Sequence, residues 1–507
     1  MINKKEAGIL FPIFSLPSNY GIGSFSKEAF DFADFLSKSK MKVWQILPLN
    51  VTSFGNSPYQ SPSNYGLNYN FIDLDTLVKK RLLKKDEIIS INWGNDPSRV
   101  DYGALYNNKL KILRLAYSRF NKENREFKKF LKTETNFSDF SIFMVLKDLN
   151  NLKPWYMWDE KYKKYSPELE EEIKEKYFDE YSFYMWTQFE FLKEYTKLKE
   201  YVNSKGIKIM GDLPIYVAFD SVEVWKYPNL FQLDENHYPT RVAGCPPDCF
   251  SEDGQLWGNP LYNWEYHKMT NYKWWNERIN NALHLYDLLR IDHFRGFSGY
   301  YSIPYGDKTA RNVKWVKGPG FDLFKDKLNL PIVAEDLGYI DDDFRELMKL
   351  CNYPGMKTLS LGLLNADPND TWRPTNYTYN FFSYSSTHDN ETTLQFINKM
   401  DAHNKEIYLK AIKEECDNFN IPFDENISDV DLVSKINELN FANNARCAIF
   451  LFQDLIPIGE EGRINAPATL SNNNWSYRFT KELFDKNNDR IAEFLSKNAI
   501  KYQRDWL

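Results

Sequence analysis

The chain has 507 residues, 43% of them hydrophobic, and a formal net charge of -6 at pH 7. This composition allows a large buried core, and the acidic balance argues against nucleic acid or another polyanion as a partner. Five cysteines in a chain of this length favour a reducing compartment over a disulfide framework.

The N-terminus resembles a signal peptide only superficially. Lys4 and Lys5 precede the apolar run 8–14, but Pro12 interrupts the run and no small-residue cleavage site follows it. No apolar stretch approaches the length of a membrane span. We therefore expect a cytoplasmic protein without a membrane partner.

Helical and strand-like patterns alternate along the chain. Amphipathic helices are predicted over 29–39, 191–202, 275–285, 321–328 and 342–350, each before an apolar strand. This alternation implies parallel pairing with right-handed crossovers. The clear strands begin at Val43, Ile207, Tyr286, Ile332, Met356, Phe381 and Ala448, and an eighth is predicted at 71–74.

Eight such strands would close a (β/α)8 barrel, the TIM-barrel form of the α/β class, and an open doubly wound sheet is the alternative. No G-x-G-x-x-G or G-K-[ST] turn follows any strand, so nucleotide binding loses its usual support. We predict one catalytic barrel over 1–507 with two insertions. Residues 76–189 have helical spacing and form a predicted helical insertion. Residues 219–262 form the second, and its ring-rich turn 246–260 is a predicted active-site lid.

Three acidic residues follow predicted strands: Asp292, Glu335 and Asp389. In a barrel all three would point into the bowl at the carboxyl ends of the strands, where active sites are built. Retaining glycosyl transfer needs two carboxylates, a nucleophile and a proton donor, and a third could hold the sugar. Arg290 favours the charged form of Asp292, so Glu335 is the better candidate for the proton donor. Alternatively, such acids can be purely structural and cap helices or close strand ends. That alternative explains any one of the three acids more easily than all three together.

Other residues bear on the ligand. Aromatic residues make up 17% of the chain, and flat rings suit carbohydrate, although most aromatic residues in any protein lie in the core. His293 and His388 each adjoin one of the acids and could either bind sugar hydroxyls or be structural. Cys245 and Cys249 form a C-x3-C pair without a second Cys or His pair, so we expect no metal.

Short motifs run in order nearly from end to end of the chain. They are Ser15-Leu16-Pro17 through Tyr20-Gly21-Ile22-Gly23, Ser57-Pro58-Tyr59-Gln60-Ser61, Gly211-Asp212-Leu213-Pro214-Ile215-Tyr216-Val217, the loop 246–260, Arg290-Ile291-Asp292-His293-Phe294-Arg295-Gly296, Ala334-Glu335-Asp336-Leu337-Gly338, Thr387-His388-Asp389-Asn390, and Arg463-Ile464-Asn465 with Asn474-Trp475. Together they resemble the 4-α-glucanotransferases, the amylomaltases or disproportionating enzymes of glycoside hydrolase family 77 in the α-amylase clan.

The resemblance implies a transglycosidase that cleaves an α-1,4 bond, holds a glucosyl-enzyme ester and passes the chain to another sugar's 4-hydroxyl. Its substrates would be α-1,4-glucans, that is maltooligosaccharides and starch or glycogen chains, and it would need no cofactor. It implies Asp292 as nucleophile, Glu335 as general acid/base and Asp389 as transition-state stabiliser. The implied substrate contacts are Tyr59, Asp212, Trp257, Arg290, His293, His388 and Asn465.

The chain departs from the family's pattern at three positions. Cys249 replaces the usual tyrosine of the lid loop, which removes a ring from the acceptor side. Ala468 stands where glycine is usual, and it would be strained if the backbone there needs a positive φ. Tyr477 replaces a more usual tryptophan.

Two other functions stay open at this point. A retaining α-glucan hydrolase of the same clan would use the same three acids and differ only in letting water resolve the ester. A glucan-binding protein without turnover would use the aromatic loop alone, but the presence of all three acids speaks against it.

Overall fold

Eight parallel strands form the central sheet of the computed structural model, which describes residues 4–247 and 252–505. In sheet order they are β10 Gly355–Thr358, β11 Phe381–Tyr384, β12 Cys447–Leu451, β1 Glu6–Leu10, β2 Val43–Gln45, β3 Lys208–Leu213, β6 Leu288–Ile291 and β9 Ile332–Ala334. Four further strands, β4 Arg241–Cys245, β5 Gln255–Pro260, β7 Gly299–Pro304 and β8 Lys314–Lys317, form a separate antiparallel sheet.

The two ends of the parallel sheet meet. The Ala334 N–H of β9 donates to the Pro354 carbonyl just before β10 at 2.9 Å. The Met356 N–H of β10 donates to Asp336 Oδ1 at 2.6 Å. These bonds join the last pair of strands, so the predicted (β/α)8 barrel is confirmed and the open doubly wound sheet is excluded.

The barrel strand that the sequence did not indicate is β1, at the N-terminus. The prediction of a strand at 71–74 is wrong, because Tyr69–Phe71 is a 3-10 helix and Leu74–Lys79 is an α-helix. Asp73 caps that helix by accepting from two backbone N–H groups of its first turn, which favours a helix start over an extended chain. The apolar run 8–14 that superficially resembles a signal peptide includes the last three residues of β1, which pairs with both β12 and β2.

Helices surround the barrel. The α-helices are α1 Lys27–Lys38, α2 Leu74–Lys79, α3 Lys85–Ile89, α4 Tyr102–Ser118, α5 Arg125–Thr133, α6 Thr135–Leu149, α7 Glu160–Lys163, α8 Pro167–Lys176, α9 Phe178–Ser204, α10 Val222–Lys226, α11 Trp264–Met269, α12 Lys273–Leu285, α13 Asp342–Cys351, α14 Leu359–Gly362, α15 Thr393–Lys399, α16 Ala402–Asn418, α17 Asp429–Ala442, α18 Phe452–Leu455 and α19 Lys481–Lys501. The 3-10 helices are Ile13–Ser15, Phe54–Asn56, Tyr69–Phe71, Trp155–Met157, Pro228–Leu230, Phe294–Phe297, Gly320–Leu323, Pro374–Asn376 and Glu460–Gly462. No helix in the described part of the chain is long and apolar enough to cross a membrane.

The 27-residue helix α9 belongs both to the helical region and to the barrel. In its first half Phe183, Trp186 and Phe189 are buried among the rings of α4 and α5. In its second half Tyr195 packs against Phe25 and donates a hydrogen bond to the Leu285 carbonyl. The helix predicted at 191–202 therefore begins earlier, because its N-terminal turns bury apolar residues on more than one face.

The second sheet lies within and beside the region 219–262, where the sequence shows no clear periodicity. Strands β4 and β5 form a hairpin with a register shift between Val242 and Gly244. The hairpin tip contacts the segment that joins β7 and β8 through an Arg311–Asp253 ion pair at 2.8 Å. An Ala310 N–H to Asp253 carbonyl bond of 2.8 Å adds to this contact. Residues 248–251, and with them Cys249, lie outside the described residues.

Several predicted elements are shorter than expected. The strands predicted over 356–361 and 448–455 each turn into a single turn of helix, α14 and α18, once the strand reaches the barrel rim. The helix predicted over 321–328 is only the 3-10 turn Gly320–Leu323. Apolar runs that cross from a strand into a buried turn carry no local signal of that change.

Candidate active site

Asp292 and Glu335 are neighbours across two paired strands. Ile291 of β6 pairs with Ala334 of β9, so the next residue on each strand is one of the two acids. The Glu335 N–H donates to the Ile291 carbonyl at 3.0 Å. Glu335 Oε2 accepts from the His293 N–H at 2.9 Å, and its Oε1 accepts from the Leu337 N–H at 2.6 Å. These bonds hold the Glu335 carboxyl group beside the residue that follows Asp292.

Burial raises the pKa of Glu335 above its ordinary value. The positive charge of Arg290 acts in the opposite direction, and the negative charge of Asp292 adds to the rise. The side chain is almost completely covered. Glu335 therefore retains its proton to a higher pH than an exposed glutamate does.

Arg290 lies beneath the carboxylates and contacts two of them. Its Nη1 is 2.5 Å from Asp212 Oδ2 and 3.0 Å from Asp292 Oδ1. The Arg290 side chain is 3% exposed and that of Asp212 is 0% exposed, whereas that of Asp292 is 25% exposed. The pairing of residues 212 and 290 on β3 and β6 brings the inner two together. Asp292 is thus held from below by a buried cation and open towards the bowl.

Asp389 follows β11 and is held from two sides. His388 Nε2 is 3.1 Å from Asp389 Oδ2, and Asn465 Nδ2 donates to Asp389 Oδ1 at 2.7 Å. Its recessed position opposes ionisation, but His388 and Asn465 outweigh this effect and hold the pKa of Asp389 well below its ordinary value. Asp389 is therefore a carboxylate while Glu335 retains its proton.

Tyr59 connects the Asp212–Arg290 pair with the His388–Asp389 pair. Its hydroxyl donates to Asp212 Oδ2 at 2.7 Å and lies 2.8 Å from His388 Nε2. Since the single hydroxyl proton goes to Asp212, the tautomer of His388 with a proton on Nε2 donates to the Tyr59 oxygen. A chain of polar contacts thus runs from Asp292 through Arg290, the buried aspartate, the tyrosine and the histidine to the third carboxylate.

His293 and Trp257 lie on the other side of the bowl. His293 is in the left-handed region with φ 47. Burial lowers its pKa to about 4, which keeps the ring neutral at neutral pH. The ring contacts Trp257 of β5 edge to face, with centroids 5.0 Å apart and an interplanar angle of 88°. The indole projects from β5, which forms the second part of the predicted lid 246–260.

The fold brings all the predicted site residues to the carboxyl ends of the barrel strands and adds Trp475. This tryptophan is buried and has φ 60, an outlier for a bulky side chain. Its ring centroid lies 5.7 Å from that of Tyr59 and 6.0 Å from that of His388. The Asn474-Trp475 motif pointed to this region, but its contact with the site could not be inferred from sequence.

Sequence reasoning also missed Gln453 and Asp454 on the single turn α18. Asp454 accepts hydrogen bonds from Ser385, Ser386 and Thr393, which bracket the segment that carries His388 and Asp389. Gln453 Nε2 donates at 3.0 Å to the Gly462 carbonyl, next to the segment that carries Asn465. Two polar residues in the otherwise apolar run 447–456 were the available signal, because buried polar residues are uncommon without a partner.

The predicted strain at Ala468 is present. Ala468 has φ 61, in the left-handed region that favours glycine. Its side chain is exposed, so the strain arises from the backbone and not from crowding.

A closed barrel of eight parallel strands with a cluster of carboxylates at the strand ends defines a barrel enzyme with its active site at the carboxyl face. The family model for 4-alpha-glucanotransferase matches residues 11–483. A 4-alpha-glucanotransferase of Clostridium butyricum is 42% identical over 490 residues, which cover 94% of this chain and 97% of that protein. One of Streptococcus pneumoniae (serotype 4, strain TIGR4) is 39% identical over 493 residues, covering 95% and 94%.

The structure is similar to that of an amylomaltase from Streptococcus agalactiae solved in complex with acarbose. The TM-score is 0.92 at 38% sequence identity, over 99% of this chain and 100% of that one. The chain therefore belongs to the 4-α-glucanotransferase family. The resemblance inferred from the motifs is confirmed, and so is the enzyme class of glycosyltransferase; the hydrolase alternative is not favoured.

Proposed function

We propose that the chain transfers an α-1,4-glucan segment to the 4-hydroxyl of an acceptor glucan or glucose, with retention, using the three strand-end carboxylates. The donors would be maltooligosaccharides and starch or glycogen chains. One observation carries this proposal: two of the strand-end acids have opposite environments, since the pKa of Glu335 is raised by burial and that of Asp389 is lowered by its partners. Such a split separates an acid from a carboxylate in one site.

In the first step Asp292 attacks the anomeric carbon of the donor. The carbon–oxygen bond to the leaving sugar breaks, and Glu335 gives its proton to the departing oxygen. The product is a glycosyl ester on Asp292. Arg290 orients Asp292 for the attack, because its Nη1 lies 3.0 Å from Asp292 Oδ1. The Asp389 carboxylate stabilises the positive charge that develops on the sugar ring.

In the second step Glu335, now ionised, takes the proton of the acceptor's 4-hydroxyl. That oxygen forms a bond to the anomeric carbon, and the ester bond to Asp292 breaks. Two inversions at one carbon give net retention. Water in place of the acceptor would give hydrolysis, so the partition depends on how well the site excludes water.

The remaining site residues would bind and position the sugar. Tyr59, His388 and Asn465 form a polar wall next to Asp389, and neutral His293 with Trp257 forms the opposite wall. Asp212 and Arg290 are implied substrate contacts, but both side chains are almost completely buried. Their burial also favours a role in holding the nucleophile from below. No metal or other cofactor takes part in these steps.

The loop 246–260 of the insertion 219–262 would act as the lid, with residues 76–189 as a helical insertion on one catalytic barrel. The Arg311–Asp253 pair supports the lid proposal, because it ties the base of the hairpin tip to the β7–β8 segment. We propose the cytoplasm as the compartment, since Cys351, Cys416 and Cys447 are buried and form no disulfide bond.

Incubation with maltotriose, followed by separation of products by size, tests this function. Transfer predicts glucose together with longer maltodextrins. Glucose and maltose without longer chains would favour hydrolysis, and unchanged maltotriose would indicate binding alone.

A glutamine variant tests the role of Glu335. Glu335→Gln should abolish turnover of maltooligosaccharides but spare the first step with a donor whose leaving group is acidic enough to depart without a proton. An equal loss on both donors would contradict the assignment of Glu335 as the acid. Asp292→Asn is the matched control, because it should lose both.

A further inference from the structure

Two exposed rings lie on the carboxyl face of the barrel outside the site residues already described. The Tyr339 side chain is 70% exposed and the Trp315 side chain is 42% exposed. Tyr339 lies four residues after Glu335, on the same loop beyond β9. Trp315 lies on β8, which pairs with β7 in the antiparallel sheet.

A buried arginine holds these two rings. The guanidinium carbon of Arg295 lies 4.3 Å from the ring centroid of Trp315 and 5.0 Å from that of Tyr339. Arg295 is 7% exposed and donates to Asp341 Oδ2 at 2.8 Å. Its Nε and Nη1 have no hydrogen-bond partner in the described part of the chain, so the ring faces take that place. Arg295 therefore holds both exposed rings in defined positions.

The backbone beneath Trp315 is shaped for the indole. A Cβ atom at Gly299 would lie 2.1 Å from Trp315 Cζ2, so only glycine lets the ring lie on the neighbouring strand β7. Tyr301 on the same strand packs against the indole with centroids 4.7 Å apart. Exposed aromatic side chains that are this well supported retain little rotamer entropy to lose when a ligand binds.

The side of the bowl on which these rings lie follows from Glu335. In the proposed reaction the general acid faces the oxygen of the leaving sugar, and the acceptor enters on that same side. The chain continues from Glu335 to Tyr339, whose Cα lies within about 14 Å even if the segment is fully extended. The two rings therefore lie on the leaving-group and acceptor side of the site, farther from the reacting bond than Glu335.

We propose that Tyr339 and Trp315 form an outer binding platform for the acceptor arm of an α-1,4-glucan, several sugars from the bond that is made. The apolar C–H faces of glucose units stack on the outward ring faces, and the sugar hydroxyls remain in water. This inference rests on the proposed function. Glucose occupies only the inner position of the acceptor site. The platform therefore predicts that long acceptors bind more tightly than glucose, because only long acceptors reach the two rings.

The experiment uses a donor blocked at its non-reducing 4-hydroxyl, so that it cannot itself accept, with either glucose or maltoheptaose as acceptor. Tyr339→Ala should raise the KM for maltoheptaose about three- to tenfold, the range that corresponds to one lost ring contact. The KM for glucose and the kcat with either acceptor should stay unchanged. Trp315→Ala should act in the same direction, and Tyr339→Phe should retain the wild-type KM.

Tyr106→Ala is the matched control, since Tyr106 is 66% exposed on α4 in the helical region. It should leave both KM values unchanged. Tyr339 is an exposed residue, so its alanine variant should fold, and a circular dichroism spectrum checks this. Equal KM changes for both acceptors, or none in Tyr339→Ala, would overturn the platform. Wild-type protein that transfers to neither acceptor would instead overturn the proposed function.

Discussion

Replacement of Asp454 should loosen the segment that carries two site residues. Asp454 is 1% exposed. Its Oδ2 accepts from the hydroxyls of Ser385, Ser386 and Thr393 at 2.8, 2.9 and 2.8 Å, and its Oδ1 accepts from the Thr393 N–H at 2.7 Å. Burial raises the pKa of Asp454, and these four donors oppose the rise. The segment 385–393, which includes His388, is thus fixed by one side chain.

The magnitude follows from the donors that each variant leaves unpaired. Asp454→Ala leaves one buried N–H and three hydroxyls without their acceptor, which should cost about 3–5 kcal/mol because the hydroxyls can partly reorient. Asp454→Asn keeps the shape but replaces one acceptor by a donor, for a cost of about 2 kcal/mol. Ser386→Ala removes one hydrogen bond, for a cost of about 1 kcal/mol.

Thermal unfolding and steady-state kinetics together test this series. With an unfolding entropy of about 2.1 cal/mol/K per residue, a loss of 4 kcal/mol lowers the Tm by about 4 °C in a chain of 507 residues. Asp454→Ala should also lower kcat at least about tenfold, because displacement of the Asp389 segment misaligns the site. A kcat equal to that of the wild type despite the lower Tm would refute the positioning role. A Tm within 1 °C of the wild type would refute the energetic reasoning.

Three further outcomes are expected. The pKa of Glu335 in the folded protein is raised above its ordinary value of 4.5. The contribution of Glu335 to stability is therefore fully present below pH 4.5 and is lost as pH rises through the pKa in the folded protein. Glu335→Gln should therefore gain in Tm over the wild type as pH rises, while wild-type kcat/KM falls over the same range; a pH-independent Tm difference would contradict this. Ala468→Gly should raise the free energy of unfolding in urea by about 0.5–1 kcal/mol, since relief of the left-handed strain exceeds the entropy that glycine adds to the unfolded chain; a decrease would contradict it. Tyr59→Phe should lower the free energy of unfolding by about 1–2 kcal/mol and should also lower kcat, because Asp212 and His388 lose the hydroxyl between them; unchanged kcat would separate Tyr59 from the chemistry.

The sequence by itself determined the alternation of helices and parallel strands and the three strand-end acids. Both are local signals: helical and strand periodicities can be read in windows of ten to twenty residues, and an acid at the end of an apolar run marks a strand end. The order of short motifs was enough to identify the family. From the sequence, strain at Ala468 could be predicted only if the backbone there had a positive φ. That angle depends on the path of the exposed loop, which the sequence does not show.

Only the tertiary structure decided how the barrel closes and what holds the site. Strand β1 pairs with β12 across more than four hundred residues of sequence, and no local pattern distinguishes it from any other short apolar run. The contact chain through Arg290 and Tyr59, and the hydrogen bonds of Asp454, join residues from different strands, so they exist only once those strands are side by side. Whether a buried polar group is supported or strained depends on partners that are distant in sequence, and for that reason the supporting residues could not be predicted while the acids could.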